Sequence, residues 1–405
     1  MLEMEAIKNF SIDKSDWQKV KFGDVVVEPK ESVKDPVSGG IEHVVGLEHI
    51  NSEDIHLRRS GNMDKSTTFT KKFTNGDVLF GRRRAYLRKA AKAEFEGICS
   101  GDITVMRANN KLLPGLLPFI VNNDNFFNYA ITHSAGGLSP RVKFKDLANF
   151  EFSLPDIKGQ KKLITLLESL DNSLQRDLLL KHALTMNLES EIEHKIHGEM
   201  LDGKTINQVI KSLSSKTKTL KLKKLGNIVK GRGISKSEVK TSGIPCIRYG
   251  ELYTKHERII RKIHSFISSE SAKLAVKIET NDVLFAGSGE TITEIGKSAA
   301  FIGKEGTYAG SDILIFRPQN MDGTYLGYLM NSKLVRYQLN KFGTGATVMH
   351  VYGSDIEKII VPDINKEEQV KISESLERIT LNIRLVESNI NKVVKFNKTL
   401  ISRIF

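Results

Sequence analysis

Two kinds of hydrophobic pattern alternate along the chain. In the first, short β-branched and aromatic runs at 77–80, 103–106, 282–285 and 313–316 are bounded by Gly, Asn, Asp and Ser. That punctuation predicts strands joined by glycine-rich loops. In the second, proline is absent and apolar residues recur at helical spacing. From about Gly159 to Met200 the stripe runs through Leu163, Leu167, Leu170, Leu174 and Leu178 and continues at Leu188, Ile192 and Ile196. The last segment is more regular: Ile372, Leu376, Ile379, Ile383, Val386, Ile390, Val393, Leu400 and Ile404 fall on alternating steps of four and three, with the polar Asn397 at one stripe position. A seam sustained this far predicts a coiled-coil helix, since ordinary globular helices average only about 11–12 residues.

The alternation is a duplication. Trp17…Phe22-Gly23-Asp24-Val25 returns as Leu220…Leu225-Gly226-Asn227-Ile228, and Gly76-Asp77-Val78-Leu79-Phe80 as Asn281-Asp282-Val283-Leu284-Phe285. Ser100-Gly101-Asp102-Ile103 returns as Gly310-Ser311-Asp312-Ile313, and Leu154-Pro155-Asp156-Ile157 as Val361-Pro362-Asp363-Ile364. The offsets are 203, 205, 210 and 207 residues, in one order. Each match is weak alone; four at nearly one spacing define a repeated unit of a mixed body followed by a helix.

Connectivity then predicts geometry. The first helix must carry the chain from one body to the other, and the second can only return, so the two stripes pair antiparallel. About 40 helical residues at about 1.5 Å each give a spacer of roughly 60 Å. Two like bodies on such a pair are related by a pseudo-twofold axis. That is the symmetry of a dimeric duplex reader, whose half-sites are spaced by multiples of about 34–36 Å.

Charge sharpens this picture. Lys and Arg number 61 against 48 Asp and Glu, a net +13, which favours a polyanionic partner. Residues 81–89 gather Arg82, Arg83, Arg84, Arg88 and Lys89 around Tyr86. Arginine suits both phosphate neutralisation and bidentate reading of guanine. Gly136-Gly137-Leu138-Ser139-Pro140-Arg141 and Gly343-Thr344-Gly345-Ala346-Thr347-Val348-Met349-His350 occupy matching places in the two halves. Small residues there would let backbone amides approach phosphate, although a plain turn has the same composition.

Catalytic patterns are missing or broken. Phe285-Ala286-Gly287-Ser288-Gly289 looks like a loop for S-adenosylmethionine, but no two of the nine prolines are adjacent, so the Asn/Asp-Pro-Pro-aromatic loop of an amino-methylating enzyme is absent. Gly296-Lys297-Ser298 resembles the end of a P-loop, but Thr291 stands where the glycine is required and Gly289 comes two positions too early. The acidic-x-Lys run Glu193-His194-Lys195 lies in the predicted helix, away from any carboxylate cleft. His194 and His197 are three apart without further ligands, and Cys99 and Cys246 stand alone, so neither a metal centre nor a disulfide framework is expected. The N-terminus has no apolar leader-like run and no stretch reaches about 18 apolar residues. A cytoplasmic protein without membrane contact is expected.

The ordered motifs across both halves resemble the specificity subunits of Type I restriction-modification systems over essentially the whole chain. The residues carrying the likeness are Trp17…Phe22-Gly23-Asp24, Gly76-Asp77-Val78-Leu79-Phe80 with Arg84-Ala85-Tyr86-Leu87-Arg88-Lys89, Ile244-Pro245-Cys246-Ile247-Arg248-Tyr249-Gly250-Glu251-Leu252, and Pro362-Asp363…Glu368-Gln369. The first half departs at Pro155-Asp156-Ile157-Lys158-Gly159-Gln160, two residues shorter than its counterpart, which leaves the first helix start open by a few residues. The resemblance implies an α+β fold: two similar mixed α/β target recognition domains at 1–158 and 204–364, separated by antiparallel spacer helices at 159–203 and 365–405. It implies a non-catalytic chain that reads a bipartite site on double-stranded DNA. Two methyltransferase subunits using S-adenosylmethionine, and motor-nuclease subunits using ATP and Mg2+, would join it, with none of those cofactors on this chain. The alternative is a stand-alone DNA methyltransferase or nuclease acting on a bipartite site. Expected DNA contacts are Arg82, Arg83, Arg84, Tyr86, Arg88, Gly137, Ser139 and Arg141 in the first half. In the second they are Arg232, Arg248, Tyr249, Ser288, Lys297, Thr344, Gly345, Thr347 and His350.

Overall fold

The repeated Asp-Val-Leu-Phe motif forms the inner strand of a sheet in each half of the chain. A computed structural model describes residues 12–36, 38–62, 68–197, 205–216, 218–289, 294–304, 306–342 and 349–405. In the first half Val78–Gly81 lies between Ile103–Ala108 and Ala90–Lys92, with Val26–Val27 beyond, all antiparallel. In the second, Val283–Ala286 lies between Ile313–Pro318 and Ser298–Phe301, with Gly226–Lys230 and Ile259–Ile260 outside. Both inner strands are buried along their whole length. Alternation of side chains sends Val78 and Phe80 into one apolar cluster and Leu79 into another; Val283 and Phe285 separate in the same way from Leu284 and Ala286.

The duplication extends to the remaining elements. His43–Val45 runs parallel to Gly97–Cys99, and Ile244–Ile247 runs parallel to Tyr308–Ala309, each pair flanked by antiparallel strands. A ribbon of Gln18–Lys21 with Glu151–Leu154 closes the first body; Thr219–Lys221 with Ile360–Pro362 closes the second. The aspartates that open the inner strands, Asp77 and Asp282, are 1% and 0% exposed. Each is held by an arginine on the neighbouring strand, Arg107 at 2.7 and 2.8 Å and Arg317 at 3.1 and 3.0 Å.

Long helices Ile157–His197 and Lys366–Ile404 follow the two ribbons. The first begins at Ile157; residues 198–200, where its stripe was expected to end, lie outside the described residues. The compact units, Met1–Leu179 with Glu387–Phe405 and Leu180–Val386, divide the chain differently from a body-and-spacer scheme. Each takes the early half of one helix and the late half of the other into its core. Leu163, Leu167 and Leu170 pack in the cluster that holds Leu400 and Ile404 in the first unit. Leu188, Ile192 and Ile196 share a cluster with Ile372 and Leu376 in the second. Both pairings are antiparallel, and the stripe residues serve the bodies as well as the helix pair.

A glutamine fixes each helix start. Gln160, 2% exposed, accepts from the Leu113 amide at 2.9 Å and donates to the Lys111 and Pro155 carbonyls. Gln369, 3% exposed, accepts from the Asp322 amide at 3.0 Å and donates to the Ile364 carbonyl. Gln160→Ala would leave the part-buried Leu113 amide without its partner, a cost of about 1 kcal/mol. Hydrogen exchange should then show the Leu113 amide losing protection while that of Asp322 stays unchanged; equal protection of Leu113 in variant and wild type would refute the clamp.

Candidate functional site

Where the inner strand of the first half ends, three segments that are distant in sequence are knitted together. The Arg82 amide donates to the Asp102 carbonyl at 3.0 Å, the Val142 amide to the Arg82 carbonyl at 3.0 Å, and the Arg84 amide to the Pro140 carbonyl at 2.8 Å. Arg83 bridges Arg141 as a one-pair ladder. The arginine run, the Asp102 loop and the 136–141 hairpin therefore form one platform. Gly136 at φ +116° makes the hairpin's tight turn, at an angle side chains rarely adopt. At its tip Gly137 has open space on its Cβ side and Leu138 is 97% exposed.

Asp102 organises the charges. Its carboxylate accepts from Arg83 Nη1 at 3.2 Å and Arg141 Nε at 2.8 Å, and Arg83 Nη2 donates to Ser139 Oγ at 3.1 Å. Burial pushes the Asp102 carboxyl up, but the hydrogen bonds from Arg141 and Arg83 outweigh it and hold the group below its ordinary range. Arg84, in the left-handed region at φ 55°, is exposed and makes no ion pair among the described residues. Tyr86 beside it is 52% exposed. Arg82 is half-buried, its Nε without a hydrogen-bond partner. Arg88 departs from expectation: its guanidinium lies 4.8 Å from the Phe127 ring and pairs with Glu53 and Asp124. It anchors the loop to the body and is not a free cation.

The second half repeats this backbone with different side chains. The Gly287 amide donates to the Asp312 carbonyl at 2.9 Å and the Val351 amide to the Gly287 carbonyl at 3.0 Å, while Ser288 pairs with His350. Gly287, Ser288 and His350 thus stand where the first half has Arg82, Arg83 and Arg141. A hydroxyl and an exposed imidazole replace two guanidiniums. Lys297 Nζ turns to the Tyr253 carbonyl at 3.1 Å, and Tyr253 Oη donates to the Ser288 carbonyl at 2.5 Å, so Lys297 braces the platform. Arg248 is half-buried near Glu251 and Tyr249 is 42% exposed. Arg232 is exposed between Gly231 and Gly233. Thr344, Gly345 and Thr347 lie outside the described residues. Sequence reasoning missed Asp102 and Asp312 as platform residues, although the repeat had marked both.

Other chemistry is sparse. Among the described residues no three His, Cys, Asp or Glu side chains form a group fit for a metal ion, and no helix is long and apolar enough to cross a membrane. Burial pushes the Cys99 and Cys246 thiols up to about 12, which keeps them protonated and inert. Glu193 is 3% exposed and accepts from the Lys333 amide at 2.9 Å, a role in the fold.

A family model described as the Type I restriction modification DNA specificity domain matches residues 14–181 and again 214–395. The Type I restriction enzyme MjaVIII specificity subunit of Methanocaldococcus jannaschii is 21% identical over 330 residues, covering 76% of this chain and 73% of that protein. The fold is shared with the Type-I restriction-modification system S subunit from M. genitalium, at TM-score 0.60 and 12% identity over 98% of both chains. It is also shared with a chain from a structure of type I R-M system complex assembly and conformational transition, at TM-score 0.58 and 17% identity over 96% of this chain and 97% of that one.

A depressed carboxyl pKa means that the Asp102 ion pairs stabilise the platform above the ordinary value of 3.8 and are lost as pH falls through the lower folded value. Carboxyl titration by NMR should place Asp102 below 3.8 in the wild type and show it rising in Arg141→Gln. A value that ignores this substitution would mean that Arg141 does not hold the carboxylate.

Proposed function

The chain belongs to the family of Type I restriction-modification DNA specificity domains, and on that premise we propose that it reads a bipartite site on double-stranded DNA with its two bodies. The observation that carries this is the duplicated platform. One backbone frame presents Arg83, Ser139 and Arg141 in one half and Ser288 and His350 in the other, as two readers of different half-sequences require. Arg84 and Tyr86 flank the first platform as phosphate-side and stacking contacts. Arg232, Arg248, Tyr249 and the 343–350 segment with Thr344, Gly345 and Thr347 serve the second. The recognition bodies correspond to 1–158 and 204–364, and the helices between them set the distance separating the half-sites.

In this reading the chain is a non-catalytic scaffold. Two methyltransferase subunits bring S-adenosylmethionine to adenines in the chosen site, and motor-nuclease subunits bring ATP and Mg2+ for restriction. Sequencing methylated adenines in a host carrying the assembled system tests it: a split motif with two defined halves is the expected result, and a single contiguous motif would overturn it.

Two substitutions probe the mechanism. Arg84→Ala removes the exposed cation of the run and should reduce the slope of log affinity against log salt by about 0.9 without changing sequence preference. Arg83→Ala should cost about 1–3 kcal/mol at one base position of the first half-site only. Equal damage to both half-sites would assign these arginines to folding.

A four-residue insertion at Thr185 adds about 6 Å of helix and about 40° of rotation. Methylome sequencing of the insertion strain should show the same half-sequences at an altered spacing; an unchanged motif would refute the ruler.

A further inference from the structure

We propose that the second unit holds an oxyanion site, for a phosphate-type group, where the counterpart pocket of the first unit is lined by the protein's own carboxylates. Its floor is the turn between the helix Tyr249–Thr254 and the strand Ser265–Ile267, facing the second long helix across a pocket of about 240 Å³. That space admits several waters, ample for a hydrated phosphate. Lys255, Lys262 and Arg384 line it and make no ion pair among the described residues. Arg258 and Arg261 also line it, already paired with Glu189 and Glu377. Glu257 is the only carboxylate among its lining residues, so the wall carries a surplus of positive charge.

A second observation points to a missing acceptor. His256 lines the pocket, is 4% exposed, and its Nε2 is buried without a hydrogen-bond partner. Burial holds its pKa below the ordinary histidine value, against the opposing pull of Glu251, so near neutral pH the ring is uncharged. A neutral imidazole can still present one N–H to an oxyanion. A buried polar atom left unpaired is costly, and a turn of the ring toward the pocket would let a bound phosphate oxygen relieve that cost.

The first unit shows what the duplication did with the same place. The bridge of His56 to Lys92 and that of Ile259 to Ala300 put Arg58 and Arg261 at equivalent positions, and Ile55 opposite Arg258. The clamps of Gln160 and Gln369 put Asp171 opposite Thr380 and Gln175 opposite Arg384. In the first unit Asp171 accepts from or pairs with His56 Nε2 at 2.8 Å, and Gln175 Oε1 accepts from Arg58 at 2.5 Å. The pocket there, about 670 Å³, sets the carboxylates of Glu53, Asp54 and Asp171 beside Arg58, Arg88 and Lys398, and Glu53 stands opposite His256. The second unit has Thr380 in place of Asp171 and Arg384 in place of Gln175, and Arg384, with Lys255 and Lys262, has no carboxylate partner among the described residues. The shared chemistry is a phosphate oxyanion, from either the backbone of bound DNA or a free phosphate.

The test uses the full chain and inorganic phosphate. Calorimetry at matched ionic strength against chloride should show saturable phosphate binding by the wild type. In Lys262→Gln/Arg384→Gln, which installs the first unit's glutamine at Arg384, that affinity should fall by about tenfold or more. Circular dichroism confirms that the double variant is folded, and Lys255→Gln, an exposed single change, gives an independent check. A duplex salt titration separates the sources and rests on the DNA reading above. A slope reduced by about 0.9 per cation assigns the site to the DNA backbone; an unchanged slope with lost phosphate binding assigns it to a free phosphate. No saturable phosphate effect in the wild type, or unchanged phosphate affinity in the folded variants, overturns the proposal. Failure of the wild type to bind any duplex would count against the DNA reading, while the phosphate titration would still decide the site.

Discussion

The inner strands Val78–Gly81 and Val283–Ala286 have no exposed face, and much of each body is arranged to keep them so. Full burial of a side chain such as Val78, Leu79 or Phe80 contributes about 1.5–3 kcal/mol. It also demands cover on both sides: one face packs on the layer of Phe22, Phe126 and Phe150, the other on Val45, Phe73 and Cys99 with their neighbours. A carboxylate at the mouth of such a strand would be costly alone, so Asp77 and Asp282 bring Arg107 and Arg317 with them. The strand cannot slide without turning its apolar faces over, so the chain that leaves its end is delivered to a fixed place.

That fixed delivery makes the platforms comparable. Residues 82–84 and 287–289 leave equivalent strands, and both are tied by backbone hydrogen bonds to an aspartate loop and to the strand end at Val142 or Val351. Side chains at these positions are free to change because the backbone makes the ties. In one half they became arginines neutralised in part by Asp102; in the other, a serine and a histidine beside Asp312. The same divergence shows at the helix faces, where Asp171 pairs with His56 in one unit and Thr380 stands in its place in the other.

The helices gain from the same economy of burial. A leucine stripe needs a partner surface, and the early half of each helix finds one on its own body as well as on the opposing helix. Toward the middle the cover thins: on the stripe Leu178 is 41% exposed and Ile379, Ile383 and Val386 are half-buried. The stripe is buried toward the ends, at Leu167, Ile192 and Ile196 and at Ile372, Leu376, Leu400 and Ile404, and again at Ile390.

The sequence by itself determined the duplication, the inner strands and the two long helices, because each of these is a matter of period and order along the chain. A run such as Val78-Leu79-Phe80 bounded by turn residues, or a stripe such as Ile372 to Ile404, carries its own solution for burial. The family could be read for the same reason, from motif order. Which arginines are free was decided only by tertiary structure. Arg84 and Arg88 lie in one basic run, yet Arg88 meets Phe127, Glu53 and Asp124 across the fold while Arg84 faces solvent. Asp102 gains its role from Arg141, 39 residues away, and the second-unit pocket from Arg384, 122 residues beyond Lys262. A charge's environment depends on neighbours that the chain brings together only when it folds, and local pattern holds no record of them.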